Sequence, residues 1–134
     1  MTNKIPVLLL HSTIEPVASL KPALARLSIA STDVLTCAEV RQFLVQTGPP
    51  QLIFTDVAFQ DGTWKDAVRA TAGAKVAAGV IVVSRFSDDP LYVAALQCGA
   101  LDFIFPPFDT DEFAYVVTSA FEQLFRRRNS MAFA

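Results

Sequence analysis

The sequence is poor in charge. Of its 134 residues only 18 % are Asp, Glu, Lys or Arg, and the formal net charge is -2. That balance is not that of a solvated, disordered chain. The one basic run, Arg126-Arg127-Arg128, is too short to form a nucleic-acid-binding stripe and reads as favouring the negative end of the last predicted helix, so no direct nucleic-acid partner is expected. Cysteine is scarce as well. Cys37 and Cys98 lack metal-ligand spacing and read as two buried, reduced thiols in a cytoplasmic protein. Long apolar runs are missing, none approaching the roughly 20 residues of a membrane helix. Near the N-terminus Lys4 is not followed by a long apolar stretch with a small-residue cleavage site, so neither a secretory signal nor a membrane partner is expected.

What the chain does have is apolar residues, 52 % of the total, in short runs. A chain of this length fits one domain that buries about two-thirds of its unfolded surface. The organising stretch is Gln51-Leu-Ile-Phe-Thr-Asp56 with the turn Val57-Ala-Phe-Gln-Asp-Gly62. Mostly apolar, β-favouring residues lead to a single carboxylate, as in a buried parallel strand that delivers Asp56 to the carboxyl edge of a sheet. Open α/β folds place their ligand and reaction sites at that edge.

The rest of the chain alternates strand and helix around it. Ile5 to Leu10, with Pro6 near its start, predicts a first strand. Glu15 to Leu27 predicts a helix with Pro16 in its first turn and Pro22 bending it or delaying its start. Thr32 to Thr36 is a short second strand, Ala38 to Gln46 a second helix, and Gly48-Pro49-Pro50 stops that helix. Trp64 to Ala72 predicts a third helix, Ala-rich and weakly amphipathic. Gly79 to Ser84 is a fourth strand, apolar enough to be covered on both faces. Asp88 to Cys98 is a fourth helix, capped by Ser87 or Asp88, with Gly99 past its end. Leu101 to Phe105 is a fifth strand broken by Pro106-Pro107. Asp109 then caps a last helix whose apolar stripe is Phe113, Val116, Val117, Ala120, Phe121 and Leu124. Five strands alternating with five helices predict a doubly wound, five-stranded parallel sheet.

Three stretches give the chain a family resemblance: L-I-F-T-D-V-A-F-Q-D-G at 52–62, V-I-V-V-S-R at 80–85 and G-A-L-D-F-I-F-P-P-F-D at 99–109. From Ile5 to about Arg127 the chain resembles the receiver domain of bacterial two-component response regulators. The resemblance implies a flavodoxin-like fold with strand order 2-1-3-4-5, a receiver-like unit over 1–128, and a tail or linker start over 129–134. It implies that Asp56 is the phosphoacceptor position, served by a histidine kinase. Ser84 matches the hydroxyl position that bonds the phosphoryl group, and Phe103 the aromatic that changes rotamer with it. Ala58 sits where a backbone carbonyl helps to hold Mg²⁺, and Pro107 matches a proline that follows a cis peptide. The face of the fourth helix, fifth strand and fifth helix, with Tyr92 and Tyr115 among its candidates, is where receivers dimerise or meet signalling partners.

Two departures bear on function. Receivers end their first strand with an acidic pair that holds Mg²⁺, and here His11-Ser12 stands there; the lysine that neutralises the phosphoryl oxygens is replaced by Pro106. Mg²⁺ wants several oxygen ligands, generally including carboxylates, and Asp56 supplies one, so Mg²⁺ binding is expected to be weak. Losing one charge partner at about 4 Å, with an effective dielectric near 20, forfeits roughly 4 kcal/mol. Arg85 and His11 are the residues that could restore positive charge at Asp56.

The resulting expectation is a degenerate receiver, not an enzyme, that acts through protein contacts. A working phosphoacceptor modified at Asp56 is the first alternative, and a small-ligand site at the strand edge the second. A flavin or nucleotide would want a glycine-rich loop after the first strand, and His11 to Glu15 contains no glycine. A nucleophilic triad of Ser12, His11 and Asp56 is disfavoured, because neighbouring residues cannot easily form the relay.

Overall fold

The computed structural model describes residues 7–12, 17–46, 50–74 and 78–132, the last five as backbone. The expected strand start at Ile5 and Pro6, the helix start at Glu15 and Pro16, and the break at Gly48 and Pro49 lie outside these ranges. Strands β1 (Val7–Leu10), β2 (Ser31–Val34), β3 (Leu52–Asp56), β6 (Gly79–Val83) and β7 (Asp102–Ile104) form one sheet in the order β2-β1-β3-β6-β7. Every pairing in it is parallel. Counting only these five strands, the order is the expected 2-1-3-4-5. A separate hairpin, β4 (Ala58–Phe59) and β5 (Gly62–Thr63), occupies what the sequence suggested was a plain turn after Asp56.

The strands are apolar because both faces of the sheet are covered. In β1, Leu8 and Leu10 point into one core while Val7 and Leu9 point into the other. The same alternation puts Ile53, Val80 and Val82 on the first face and Leu52, Phe54, Ile81 and Val83 on the second. Helices α2 (Cys37–Leu44), α3 (Trp64–Ala72) and α4 (Asp89–Gln97) cover the first face. Helices α1 (Leu20–Arg26) and α5 (Thr110–Ala132) cover the second. Phe54 lies fully buried against Phe113 of α5, with ring centroids 5.8 Å apart. Burying a side chain of that size contributes about 1.5–3 kcal/mol.

Local chemistry sets where the helices begin and end. A 3-10 turn, Val17–Ser19, precedes α1, so the regular helix starts with Pro22 in its first turn, where a missing amide hydrogen breaks no helical bond. The expected second strand ends at Val34, because Thr36 serves as the N-cap of α2: its hydroxyl accepts from the Glu39 amide at 3.1 Å. Asp61, in the hairpin turn, also serves that helix end. Its carboxylate accepts from the amides of Cys37 (2.7 Å) and Ala38 (3.1 Å) and places negative charge where the helix dipole favours it. An added Cβ at Gly62 would press on the Asp66 carboxylate, which would have to shift. Asp88 caps α4 by accepting from the Leu91 amide, and Gly99 takes a φ of 107° past its end, as glycine readily does. Asp109 accepts from the amides of Asp111 and Glu112 at the start of α5.

Three expectations need correction. Helix α3 is not weakly amphipathic in effect: Trp64, Ala67, Val68 and Ala70 are all buried, the small alanines letting the helix close on the sheet. Only Cys37 is a buried thiol; Cys98, at the end of α4, is exposed. Burial pushes the Cys37 thiol above its ordinary range. Arg126 to Arg128 do not sit at the negative end of the last helix, which continues to Ala132.

The end of α1 closes with the Ile29 amide on the Leu24 carbonyl (3.0 Å) and the Ser28 amide on that of Ala25 (2.9 Å), the paired bonds of a Schellman motif. Ser28 pays for this with a φ of 60°, a conformation that costs L-residues about 1–2 kcal/mol. Ser28→Gly is therefore expected to raise stability by about 0.5–1 kcal/mol after glycine's own entropy cost, measured as a higher urea midpoint at unchanged slope. An unchanged or lower midpoint would contradict this account.

Candidate functional site

The carboxyl edge of the sheet is where the strands stop being apolar. The register aligns Leu10 of β1 with Thr55 of β3, Asp56 with Val83 of β6, and Val83 with Ile104 of β7. The first residues beyond that line, His11, Asp56 at its strand's last position, and Ser84, are all buried and polar. Asp56 is 6 % exposed. Each of its carboxylate oxygens accepts one hydrogen bond at 2.7 Å, Oδ2 from the Ser12 hydroxyl and Oδ1 from the Val57 amide. Both donors are neutral. Thr55 supports the same turn by donating its hydroxyl to the Asp56 carbonyl (2.9 Å), and the Val57 carbonyl accepts from the Trp64 amide (3.0 Å). Trp64 is thus a packed residue whose backbone fixes the loop that carries Asp56.

His11 faces away from this carboxylate. Its amide bonds the Val34 carbonyl (2.9 Å), and its Nε2 lies 2.7 Å from Asp33 Oδ1. Asp33 is on β2, across β1 from the strand that carries Asp56. The other Asp33 oxygen pairs with the Lys21 ammonium of α1. The sequence reading missed this Lys21–Asp33–His11 cluster; an aspartate inside a predicted strand was the available signal. The relay of Ser12, His11 and Asp56 is not formed, since Ser12 bonds Asp56 directly and His11 bonds elsewhere.

Around Asp56 the remaining positions fall as follows. Ala58 is exposed on β4. Ser84 is buried, with its amide on the Ile104 carbonyl (2.9 Å) and its hydroxyl accepting from the Phe86 amide (3.4 Å). Arg85 follows it and is exposed. Pro106 is half-buried, and the Pro106–Pro107 peptide bond is cis. Phe103 is buried on β7, edge-on to Tyr92 of α4 with centroids 5.9 Å apart, and Phe105 lies 6.4 Å from it. Burial lifts the Asp102 carboxyl above its ordinary range, against a hydrogen bond from the Phe103 amide that lowers it.

A receiver-type metal centre does not fit this donor set. Among the described residues no group of three His, Cys, Asp or Glu side chains is placed to hold a metal. His11 and Ser12, which stand at the first-strand positions, are engaged with Asp33 and Asp56. Ion pairs join Asp33 to His11 and Lys21, and Asp66 to Arg69.

No family model matches the sequence, and no curated protein matches it. Solved structures do. The signal receiver domain of a protein assigned as a LuxO repressor from Vibrio parahaemolyticus superposes with a TM-score of 0.77 at 22 % identity, over 92 % of this chain and 95 % of that one. A response regulator receiver protein from Pseudomonas putida gives 0.70 at 23 % identity over 88 % and 98 %. The beryllofluoride-activated NtrC4 receiver domain dimer gives 0.73 at 21 % identity over 89 % and 98 %. The chain therefore has the fold of response regulator receiver domains. Among the described residues no helix is long and apolar enough to cross a membrane.

The Asp33 cluster yields a pH test. Burial raises the Asp33 pKa, but the hydrogen bonds and charges of Lys21 and His11 outweigh it and hold the carboxyl below its ordinary 3.8. A depressed folded pKa gives stability that is fully present above 3.8 and is lost as pH falls through the folded value. The Asp33 side chain is 43 % exposed, so solvent screening limits the effect to about 1 kcal/mol or less. Asp33→Asn is expected to unfold at lower urea than the parent at neutral pH, with the gap closing below pH 3.8. A gap that persists undiminished in acid would remove the ion pair as its cause.

Proposed function

We propose that this chain is a receiver-type signalling module of two-component or phosphorelay systems that acts through protein contacts, with weak or no Mg²⁺-dependent phosphorylation. The observation that carries the reading is the Asp56 carboxylate, buried and held by one hydroxyl and one amide, both neutral. Phosphoryl transfer is accelerated chiefly by positioning and by cations that offset charge on the transferring group. In this edge the first-strand positions are a histidine turned to Asp33 and a serine that occupies Asp56 itself, and Pro106 stands at the lysine position. Each 1.4 kcal/mol of missing transition-state stabilisation slows transfer about tenfold, so Asp56 is a poor acceptor from small donors.

The partner on this reading is a histidine kinase or another signalling protein. The supporting surface is made by α4, β7 and the start of α5, where Tyr92, Val93, Leu96, Phe105 and Tyr115 are exposed. The contact between buried Phe103 and exposed Tyr92 joins that surface to the strand beside Ser84. A second reading, phosphorylation of Asp56 by a cognate kinase that brings its own cations, is favoured by the placement of Asp56 and Ser84 at the ends of adjacent strands.

Intact-mass measurement after incubation with acetyl phosphate, with and without Mg²⁺, separates these. The parent chain is expected to gain no phosphoryl adduct. The triple variant His11→Asp, Ser12→Asp, Pro106→Lys is expected to gain one that requires both Mg²⁺ and Asp56. An adduct on the parent that disappears in Asp56→Asn would overturn the proposal in favour of the second reading.

A further inference from the structure

Helix α5 carries a second stripe beside its core stripe of Phe113, Val117, Ala120 and Leu124, joined to it by Phe121, which packs partly against that core. Thr118, Phe121, Glu122, Phe125 and Arg126 line an open groove of about 440 Å³. They recur at i, i+3, i+4, i+7 and i+8, the spacing of one helix face. Phe121 is half-buried, whereas Phe125 is 64 % exposed. A large aromatic left in water beside the last core position of the helix is an unused packing group.

The charges on the same stripe say what would cover it. Glu122 and Arg126 are exposed and stand in the i, i+4 order that favours an intrahelical ion pair. They form none: the ion pairs among the described residues do not include either. The stripe therefore presents one negative and one positive group, about one helical turn apart, alongside two phenylalanines. Such a surface is complementary to itself. If a second α5 runs antiparallel across it, Glu122 of each copy meets Arg126 of the other, and the Phe121 and Phe125 rings interleave. That is an isologous two-fold contact, in which each residue's partner also makes the reciprocal contact.

We propose that the chain self-associates through this stripe as an antiparallel α5–α5 dimer. Neither Tyr92 of α4 nor Phe105 lines this groove. From Thr118 to Ala132 the helix offers about 22 Å of length at 1.5 Å per residue. A single helix pair of that length falls short of the roughly 800 Å² per partner of a standard stable interface, so a reversible dimer is expected.

The test is sedimentation velocity of the full chain from low micromolar to near-millimolar concentration. The parent is expected to shift from monomer to dimer across the series. Phe125→Glu, at an exposed position that leaves the core intact, is expected to weaken association at least tenfold, as loss of a central aromatic anchor commonly does. Glu122→Arg is expected to weaken it through like-charge contact, and Glu122→Arg with Arg126→Glu to restore it. Tyr92→Glu is expected to leave it unchanged. A parent that stays monomeric throughout overturns the proposal, as does a charge swap that fails to restore association. Loss of the dimer in Tyr92→Glu with retention in Phe125→Glu would move the interface to the α4–β7 face.

Discussion

The inner strands of a parallel sheet covered on both faces accept no polar side chain until they reach their ends. That constraint governs this molecule. Val7 to Leu10, Leu52 to Phe54 and Gly79 to Val83 are buried without a charged group among them, because an unpaired charge there would cost several kcal/mol. The buried polar residues His11, Thr55, Asp56 and Ser84 consequently gather at one edge. There backbone ends and loop hydroxyls can satisfy them, and among the described residues no buried side-chain nitrogen or oxygen lacks a hydrogen-bond partner.

How Asp56 is satisfied decides what it can do. A carboxylate accepting from a hydroxyl and an amide is solvated by dipoles, which is enough to keep it in a folded protein; on the proposed reading these dipoles offer little to an incoming phosphoryl group. His11 and Lys21 share Asp33 on the far side of β1, where they tie α1 to the edge strand. The hydroxyl of Ser12 stands at Asp56 instead.

The fold was legible because its signals are redundant. The inner strands of the sheet are marked by apolar runs, each helix start or end by an Asp, Thr, Pro or Gly whose chemistry has few other uses, and the strand order by the receiver-like stretches around Asp56, Ser84 and Phe103. Contacts that join residues distant in the chain were not legible. Asp61 capping α2 across 24 positions, and Asp33 gathering Lys21 and His11, leave no periodic trace. Thr36 was misplaced because a β-branched residue suits a strand end and an N-cap equally. Cys98 was misjudged because α4 buries only Ala95 fully, so its apolar composition does not report which face is covered.

That thin burial of α4 has a consequence for the site. The helix is held by Ala95 and the partly buried Leu91 and Ala94 against the core, by its cap at Asp88, by the Tyr92–Phe103 contact, and by the Cys98 to Ala100 turn. Elements with few buried contacts are those that move at low free-energy cost. Phe103 lies on the strand whose Ile104 carbonyl accepts the Ser84 amide, so a shift of α4 at Tyr92 and a change at the Asp56 edge bear on the same short strand. Coupling of this kind is reciprocal. A protein that binds Tyr92 and its neighbours would bias the edge as readily as a group at the edge would bias them.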